Sequence, residues 1–178
     1  MLKKILLVED EAIIALGEKK VLEKYGYEVV TVYDGEKAVH AVNEHNIDLI
    51  LMDINLGNGR LDGTEAAEII LGVHDIPIVF LSSHTQPEIV EKTEKITAYG
   101  YVVKNTGETV LINAIKMAFK LFEAKRESQR NEKMLITALN HSHAGVAIAD
   151  APDGNLRYVN DAGLLIRGGD RNKVVNGV

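Results

Sequence analysis

The stretch Ile47-Asp-Leu-Ile-Leu-Met-Asp53 decides how the rest of the chain is interpreted. Its four consecutive apolar residues, Leu49 to Met52, are typical of a strand that is buried on both faces, as in a parallel sheet. The strand ends in a carboxylate. Because chemistry in open α/β sheets takes place at the carboxyl ends of the strands, Asp53 is a candidate site residue. The alternative is that Asp53 only starts a turn.

Three further apolar runs also end in polar side chains, which predicts that these side chains meet at one edge of a sheet. Clustered carboxylates repel one another unless a cation neutralises them, and hard oxygen ligands of this kind suit Mg²⁺. A lysine and a hydroxyl opposite them suit an incoming phosphoryl group. The residues concerned are Glu9 and Asp10 after the first run, Ser82 after the fourth and Lys104 after the fifth.

These residues occur in the order and spacing of a known family. Over roughly residues 1–125, the chain resembles the response-regulator receiver domain of two-component signalling. The resemblance implies an α/β fold, a flavodoxin-like doubly wound (βα)5 receiver with parallel sheet order 2-1-3-4-5. It predicts that the chain acts as a phosphorelay switch. The motifs that carry it are Glu9-Asp10, Met52-Asp53-Ile54, Ser82 and Tyr101-Val-Val-Lys104.

The resemblance implies a phosphoryl acceptor and a metal site. Asp53 would accept the phosphoryl group from a histidine kinase or a histidine phosphotransfer protein, since a carboxylate can act as a nucleophile. Glu9, Asp10, the Asp53 carboxylate and the Asn55 backbone carbonyl would bind Mg²⁺, as the resemblance implies. Water and phosphoryl oxygen would complete the coordination.

Two residues would act on the transferred group. Lys104 would pair with Asp53 before the reaction and with the phosphoryl oxygens after it. Ser82 would hydrogen-bond the phosphoryl group, in place of the commoner threonine. The family usually has a cis proline after the lysine, whereas this chain has Asn105. A cis bond would cost about 2.5–4 kcal/mol there and is not assumed.

Helix and loop patterns fill the spaces between the strands. Residues 11–25 predict a first helix with Ile13, Leu16, Val21 and Tyr25 on one face, ended by a left-handed Gly26. The loop 55–63 has glycines at 57, 59 and 63, which match neither a dinucleotide-binding nor a P-loop spacing, so we interpret them as backbone flexibility beside the site. Further helices are predicted over 64–71 and from Thr85 onwards.

From Thr106, a predicted N-cap, the helical pattern continues over residues 107–140, so the last receiver helix extends into a linker. Apolar residues repeat at about 3.5 positions, but a polar stretch interrupts them. The linker is either a solvated connector or part of a homodimer formed through the fourth helix, the fifth strand, the fifth helix and the linker itself. The apolar positions are Leu111, Ile115, Ala118 and Phe122, resumed at Ile136 and Leu139.

Residues 141–178 change to short alternating strands. Gly145–Asp150 and Leu156–Asn160 flank Asp153-Gly154, a hairpin signal. The segment resembles the opening of a PAS sensory domain, with Tyr158-Val-Asn-Asp-Ala162 leading into a helix. About 38 residues follow Asn140, against roughly 100 for a whole domain, so we expect a truncated α+β PAS segment of a longer protein.

Composition excludes several classes of protein. The 178 residues are 46% hydrophobic and 26% charged, with no apolar run near the roughly 18 residues of a membrane span. The absence of cysteine excludes disulfides and thiolate chemistry and fits a cytoplasmic protein. A net charge of −6 disfavours a nucleic-acid surface.

Two other families and the role of the whole protein stay open at this point. An aspartate-nucleophile phosphatase of the haloacid dehalogenase kind would carry an Asp-x-Asp pair after its first strand, whereas Asp53-Ile-Asn55 follows the third. A flavodoxin would not carry an acidic pair in its phosphate loop. The whole protein is either a regulator with an output domain beyond residue 178 or a hybrid PAS sensor histidine kinase. No enzyme activity is expected here beyond phosphorylation and dephosphorylation of Asp53.

Overall fold

The computed structural model describes residues 2–57, 59–83, 96, 99–150, 152 and 154–167. The chain divides into two units, residues 1–124 and 125–178, and each is described by itself. The elements of the first unit are β1 (Lys4–Val8), α1 (Ala12–Lys24), β2 (Glu28–Val32), α2 (Gly35–Glu44), β3 (Leu49–Asp53), α3 (Gly63–Val73), β4 (Ile78–Ser82), β5 (Tyr101–Val103) and the start of a long helix (Glu108–Asn140).

The five strands form one parallel sheet in the order β2-β1-β3-β4-β5, which confirms the predicted fold. Every residue of β3 and β4 is buried, as expected of central strands covered on both faces. The register pairs Val8 with Met52, Asp53 with Leu81 and Ser82 with Val103. The carboxyl ends of these strands therefore lie at one edge of the sheet.

The alternation of side chains along each strand creates two cores. Leu6, Ile50 and Phe80 pack on one face with α2 and α3 residues such as Ala66 and Ile70. The opposite face has its own core, formed by Ile5, Leu51 and Val79 with residues of α1 and the long helix. Burial of both faces makes the sheet the rigid support of the residues at its edge.

The apolar face predicted for α1 packs only in part, because Val21 alone of its residues lies against the core. Ile13, Leu16 and Tyr25 are 88%, 55% and 44% exposed, whereas Ala15 and Leu22 are buried against the sheet. The face of the helix that packs runs through Ala15, Val21 and Leu22. Gly26 follows the helix with φ +85°, in the left-handed region predicted for it.

The long helix begins at Glu108, which places Gly107, not Thr106, immediately before it. The predicted N-cap is therefore wrong: the Thr106 hydroxyl donates to the Val103 carbonyl at 2.8 Å. The first half of the predicted coiled-coil seam is also wrong, because it lies inside the receiver core rather than on an intermolecular face. Its four members, Leu111, Ile115, Ala118 and Phe122, are buried.

The remaining predicted elements of the first unit are partly described. α3 spans Gly63–Val73, slightly more than the predicted 64–71. The helix predicted from Thr85 lies outside the described residues. Across the part of the chain that the structure describes, no helix combines the length and apolarity that crossing a bilayer would need.

The second unit contains the antiparallel pair β6 (Ala147–Ala149) and β7 (Leu156–Val159), followed by a short helix (Asp161–Arg167). The fully buried Asn160 organises it. Its side-chain amide donates to the carbonyls of Leu139 and Ala144, each at 2.8 Å. Its side-chain oxygen accepts from Val146 N and Gly163 N, at 2.8 and 2.9 Å. One of these four hydrogen bonds reaches the end of the long helix, two reach the segment before β6 and one reaches the short helix.

Candidate functional site

A buried ammonium group lies between two carboxylates at the carboxyl edge of the sheet. Lys104 Nζ donates to Glu9 Oε2 at 2.5 Å and to Asp53 Oδ2 at 2.7 Å. The side chains of Lys104, Glu9 and Asp53 are 5%, 0% and 5% exposed. Such pairs are stable only where geometry and hydrogen bonding offset the cost of dehydration. The register explains the geometry, since Glu9 directly follows the residue paired with Met52.

Burial and ion pairing act against each other in this cluster. Burial raises the pKa of Glu9, as does the neighbouring Asp53 carboxylate, and the hydrogen bond from Lys104 only partly offsets this. Burial lowers the pKa of Lys104, but its hydrogen bonds to Asp53 and Glu9 outweigh that effect and the pKa is raised. The lysine is therefore held in its charged form.

Asp10 completes an acidic triad with Glu9 and Asp53, in which one carboxylate oxygen of each lies within 4.8 Å of the others. Backbone N–H groups orient two of these acids. Gly57 N donates to Asp10 Oδ2 at 3.0 Å, and Asn55 N donates to Asp53 Oδ1 at 3.2 Å. Convergent carboxylate oxygens are the ligands that Mg²⁺ prefers, so the donor set fits that ion.

The chain matches the family described as "Response regulator receiver domain" over residues 5–116. It belongs to this family.

Known receivers and regulators share this part of the chain. It is 36% identical over 121 residues to the transcriptional regulatory protein PdtaR of Mycobacterium tuberculosis, covering 67% of this chain and 58% of that protein. It is 34% identical to DegU of Brevibacillus brevis, covering 64% of this chain and 48% of that protein. The chain thus spans about half the length of these curated relatives.

A solved receiver structure is also similar. It is the N-terminal domain of a response regulator/sensory box/GGDEF 3-domain protein from Carboxydothermus hydrogenoformans. The two are 48% identical with a TM-score of 0.64, and the match covers 69% of this chain and 98% of that one.

The other predicted site residues of this receiver lie at the same edge. Ser82 is the last residue of β4 and is fully buried, and its carbonyl accepts the Lys104 N–H at 2.8 Å. This bond fixes the end of β5 beside β4. Asn55 is exposed, two residues beyond Asp53. His84, two residues beyond Ser82, lies outside the described residues.

The backbone at Asn105 departs from what the family resemblance implies. Asn105 has φ +63°, the left-handed region that asparagine tolerates better than most residues. Proline is restricted to φ near −65° and could not adopt this conformation. With asparagine in place of proline, the backbone directly after Lys104 therefore adopts a conformation that proline could not.

Gly63 is a site-supporting residue whose role the sequence analysis missed. A Cβ atom at this position would overlap the carbonyl oxygen of Asp53, and the Gly63 N–H donates to the Ile54 carbonyl at 3.0 Å. Gly63 is therefore needed because it lets the start of α3 approach the Asp53 backbone closely, and not because it makes the loop flexible. The capping box between Asp62 and Glu65 starts α3 at this point, and this pair of residues in the sequence could have predicted the start of the helix.

Glu18 is a second residue that the sequence analysis did not single out. It lies on α1, and burial raises its pKa to about 7, with further repulsion from Glu9. Its Oε2 atom is buried and has no hydrogen-bond partner among the described residues. No local pattern marks it, because its burial depends on residues distant in the chain.

Proposed function

We propose that this chain is a phosphorelay receiver in which Asp53 accepts a phosphoryl group and the receiver then switches conformation to control a C-terminal region. One observation carries the proposal: Lys104 bonds Glu9 and Asp53 at the buried edge of the sheet. The arrangement holds a charged lysine in contact with the carboxylate that would accept the phosphoryl group. A donor histidine belonging to a histidine kinase or a histidine phosphotransfer protein fits this chemistry, since receivers in general interact with such partners.

The phosphoryl transfer is an in-line displacement at phosphorus. An Asp53 oxygen forms the new P–O bond while the P–N bond to the donor histidine breaks, and the imidazole leaves with the electron pair of that bond. Lys104 moves from the carboxylate to the phosphoryl oxygens and neutralises their charge. Ser82 hydrogen-bonds one of these oxygens from the neighbouring strand.

Mg²⁺ would be held by the carboxylates of Glu9, Asp10 and Asp53 and by the backbone carbonyl of Asn55. When bound, the ion supplies positive charge next to the transferring group. Receiver domains generally bind Mg²⁺ at an acidic cluster of this kind. The closeness of Lys104 to two of the three acids means that the lysine and the ion share the task of balancing their charge.

Labelling by a small phosphodonor tests the function. With acetyl phosphate and Mg²⁺, we expect intact-mass spectra to show one added phosphoryl group on the wild-type chain and none on Asp53→Asn. Asp75→Asn, an exposed acid in the turn before β4, is the matched control and should label like wild type. Equal labelling of Asp53→Asn and wild type would overturn the assignment.

We also propose a domain organisation: a receiver over residues 1–125, its last helix extended over 107–140, and the beginning of a PAS domain over 141–178. The β6–β7 pair and the short helix after it support the last part. The similar protein from Carboxydothermus hydrogenoformans is named as a response regulator with a sensory box and a GGDEF domain. A hybrid sensor histidine kinase is the alternative for the whole protein.

Tyr101 is the proposed transmitter of the switch. It is half-buried on β5 and packs against the core that contains its register partner Phe80. When Ser82 turns toward the phosphoryl oxygens, it vacates space that the Tyr101 ring can enter, which shifts an existing equilibrium between outward and inward rings. The surface formed by β5 and the long helix changes as a result.

A further inference from the structure

A pocket of about 380 Å³ lies between α1 and the loop that joins β5 to the long helix. Its size falls in the range of small-molecule sites, roughly 300–1,000 Å³. The walls are largely apolar, and Ile13, 88% exposed, would be covered by an occupant. The apolar residues of the wall are Ile13, Ile14, Val21, Leu81, Val102, Val103 and Leu111.

One acid of α1, Glu18, is among the residues that line this pocket. The rest of the protein does not balance its charge. Its Oε2 atom is buried without a hydrogen-bond partner among the described residues, which is costly for a carboxylate. Burial raises the pKa of Glu18 to about 7, and Lys104 lowers it only in part.

The nearby lysine attracts Glu18 but gives its Oε2 atom no hydrogen bond. Lys104 lines the pocket, but its ammonium group is bonded to Glu9 and Asp53. The positive charge of Lys104 is therefore already shared by two other carboxylates. A second acid, Glu108, lies in the wall and is paired with Lys24 at 2.8 Å.

We propose that this pocket binds a small organic cation with an apolar body, whose ammonium group pairs with the Glu18 carboxylate. The apolar part would lie against Ile13, Val21 and Leu111, and the charged part would reach the acid in the wall. This inference does not rest on the proposed function, because no residue that binds the probe has to be phosphorylated or to hold a metal ion.

Hexylammonium is a suitable probe, and hexan-1-ol is its neutral counterpart of similar length. In ¹⁵N-resolved NMR titrations of the full chain at pH 8, we expect hexylammonium to shift amide signals of residues 13–21 and 105–108. Hexan-1-ol should bind about tenfold more weakly, since a hydrogen bond to a charged group contributes more than a neutral one. Equal affinity of the two probes would overturn the proposal.

Three variants make the test specific. Glu18→Gln keeps the shape of the side chain and should weaken hexylammonium by about tenfold while leaving hexan-1-ol unchanged. Ile13→Ser, at an exposed position that the fold tolerates, should weaken both probes. Glu23→Gln removes an exposed acid of the same helix outside the pocket and should bind like wild type. Unchanged hexylammonium binding by a folded Glu18→Gln would contradict the proposal.

Discussion

At the scale of single residues, the ammonium group of Lys104 is the only charge that neutralises Glu9 and Asp53 in the contacts described for them. Lys104→Met should therefore lower the free energy of unfolding by about 3–5 kcal/mol in the absence of divalent ions, because two buried carboxylates lose their partner. Mg²⁺ should restore more stability to this variant than to wild type, since the ion binds only the folded state.

Urea denaturation with EDTA and with Mg²⁺ measures both effects. Lys24→Met, which breaks an exposed ion pair with Glu108, is the control and should change stability little in either condition. An equal gain from Mg²⁺ in Lys104→Met and in wild type would contradict the shared role of lysine and metal ion.

Glu18 predicts an unusual dependence of stability on pH. Its pKa rises from 4.5 to about 7 on folding, so the folded protein retains a proton that the unfolded chain releases. Stability therefore falls as the pH rises from about 4.5 through about 7. Glu18→Gln should raise the free energy of unfolding by about 1–3 kcal/mol at pH 8 and leave it unchanged near pH 4. Denaturation curves at the two pH values check this, and a gain independent of pH would refute it.

At the scale of secondary-structure elements, α3 contains two glycines whose replacement by alanine should have opposite effects on stability. Gly63→Ala would place a methyl group on the Asp53 carbonyl and should cost several kcal/mol, about 2–4, with slower phosphorylation of the displaced Asp53. Gly72→Ala meets nothing within 4 Å and should stabilise the helix by about 0.5–1 kcal/mol. Thermal unfolding of the two variants separates them. Similar effects of both would show that Gly63 is not a point of close approach.

The elements also show what the sequence can and cannot predict. The edge cluster was predictable because Asp53 ends an apolar strand, Glu9 and Lys104 each directly follow one, and parallel strands end together. The buried stripe of α1 was not, since Ile13 and Leu16 are as apolar as Leu22 and only packing chooses between stripes. The burial of Glu18 likewise could not be predicted, because the residues that cover it are distant in the sequence.

At the scale of the whole molecule, we propose self-association through the outer face of the long helix. With Leu111 and Ile115 buried in the core, the exposed apolar residues of this helix within the first unit are Val110, Met117 and Leu121. Beryllofluoride with Mg²⁺, a phosphoryl mimic, should increase the association of wild type. Leu121→Glu should abolish association, because a charge replaces an apolar contact.

Light scattering of these proteins also tests the switch. Tyr101→Ala should no longer respond to beryllofluoride, since the ring is the proposed transmitter. Glu123→Gln, an exposed residue of the same helix, is the control and should behave like wild type. If beryllofluoride shifts the association of Tyr101→Ala and wild type equally, Tyr101 does not transmit the signal.

The central claim is that Asp53 itself carries the phosphoryl group, and chemical trapping of the acyl phosphate tests it most directly. Borohydride reduces an aspartyl phosphate to homoserine, which peptide mass spectrometry locates in the chain. After treatment with acetyl phosphate and Mg²⁺, homoserine is expected at position 53 and at no other acid. Homoserine at Asp10, 2-amino-5-hydroxypentanoic acid at Glu9, or trapping that persists in Asp53→Asn would contradict the account.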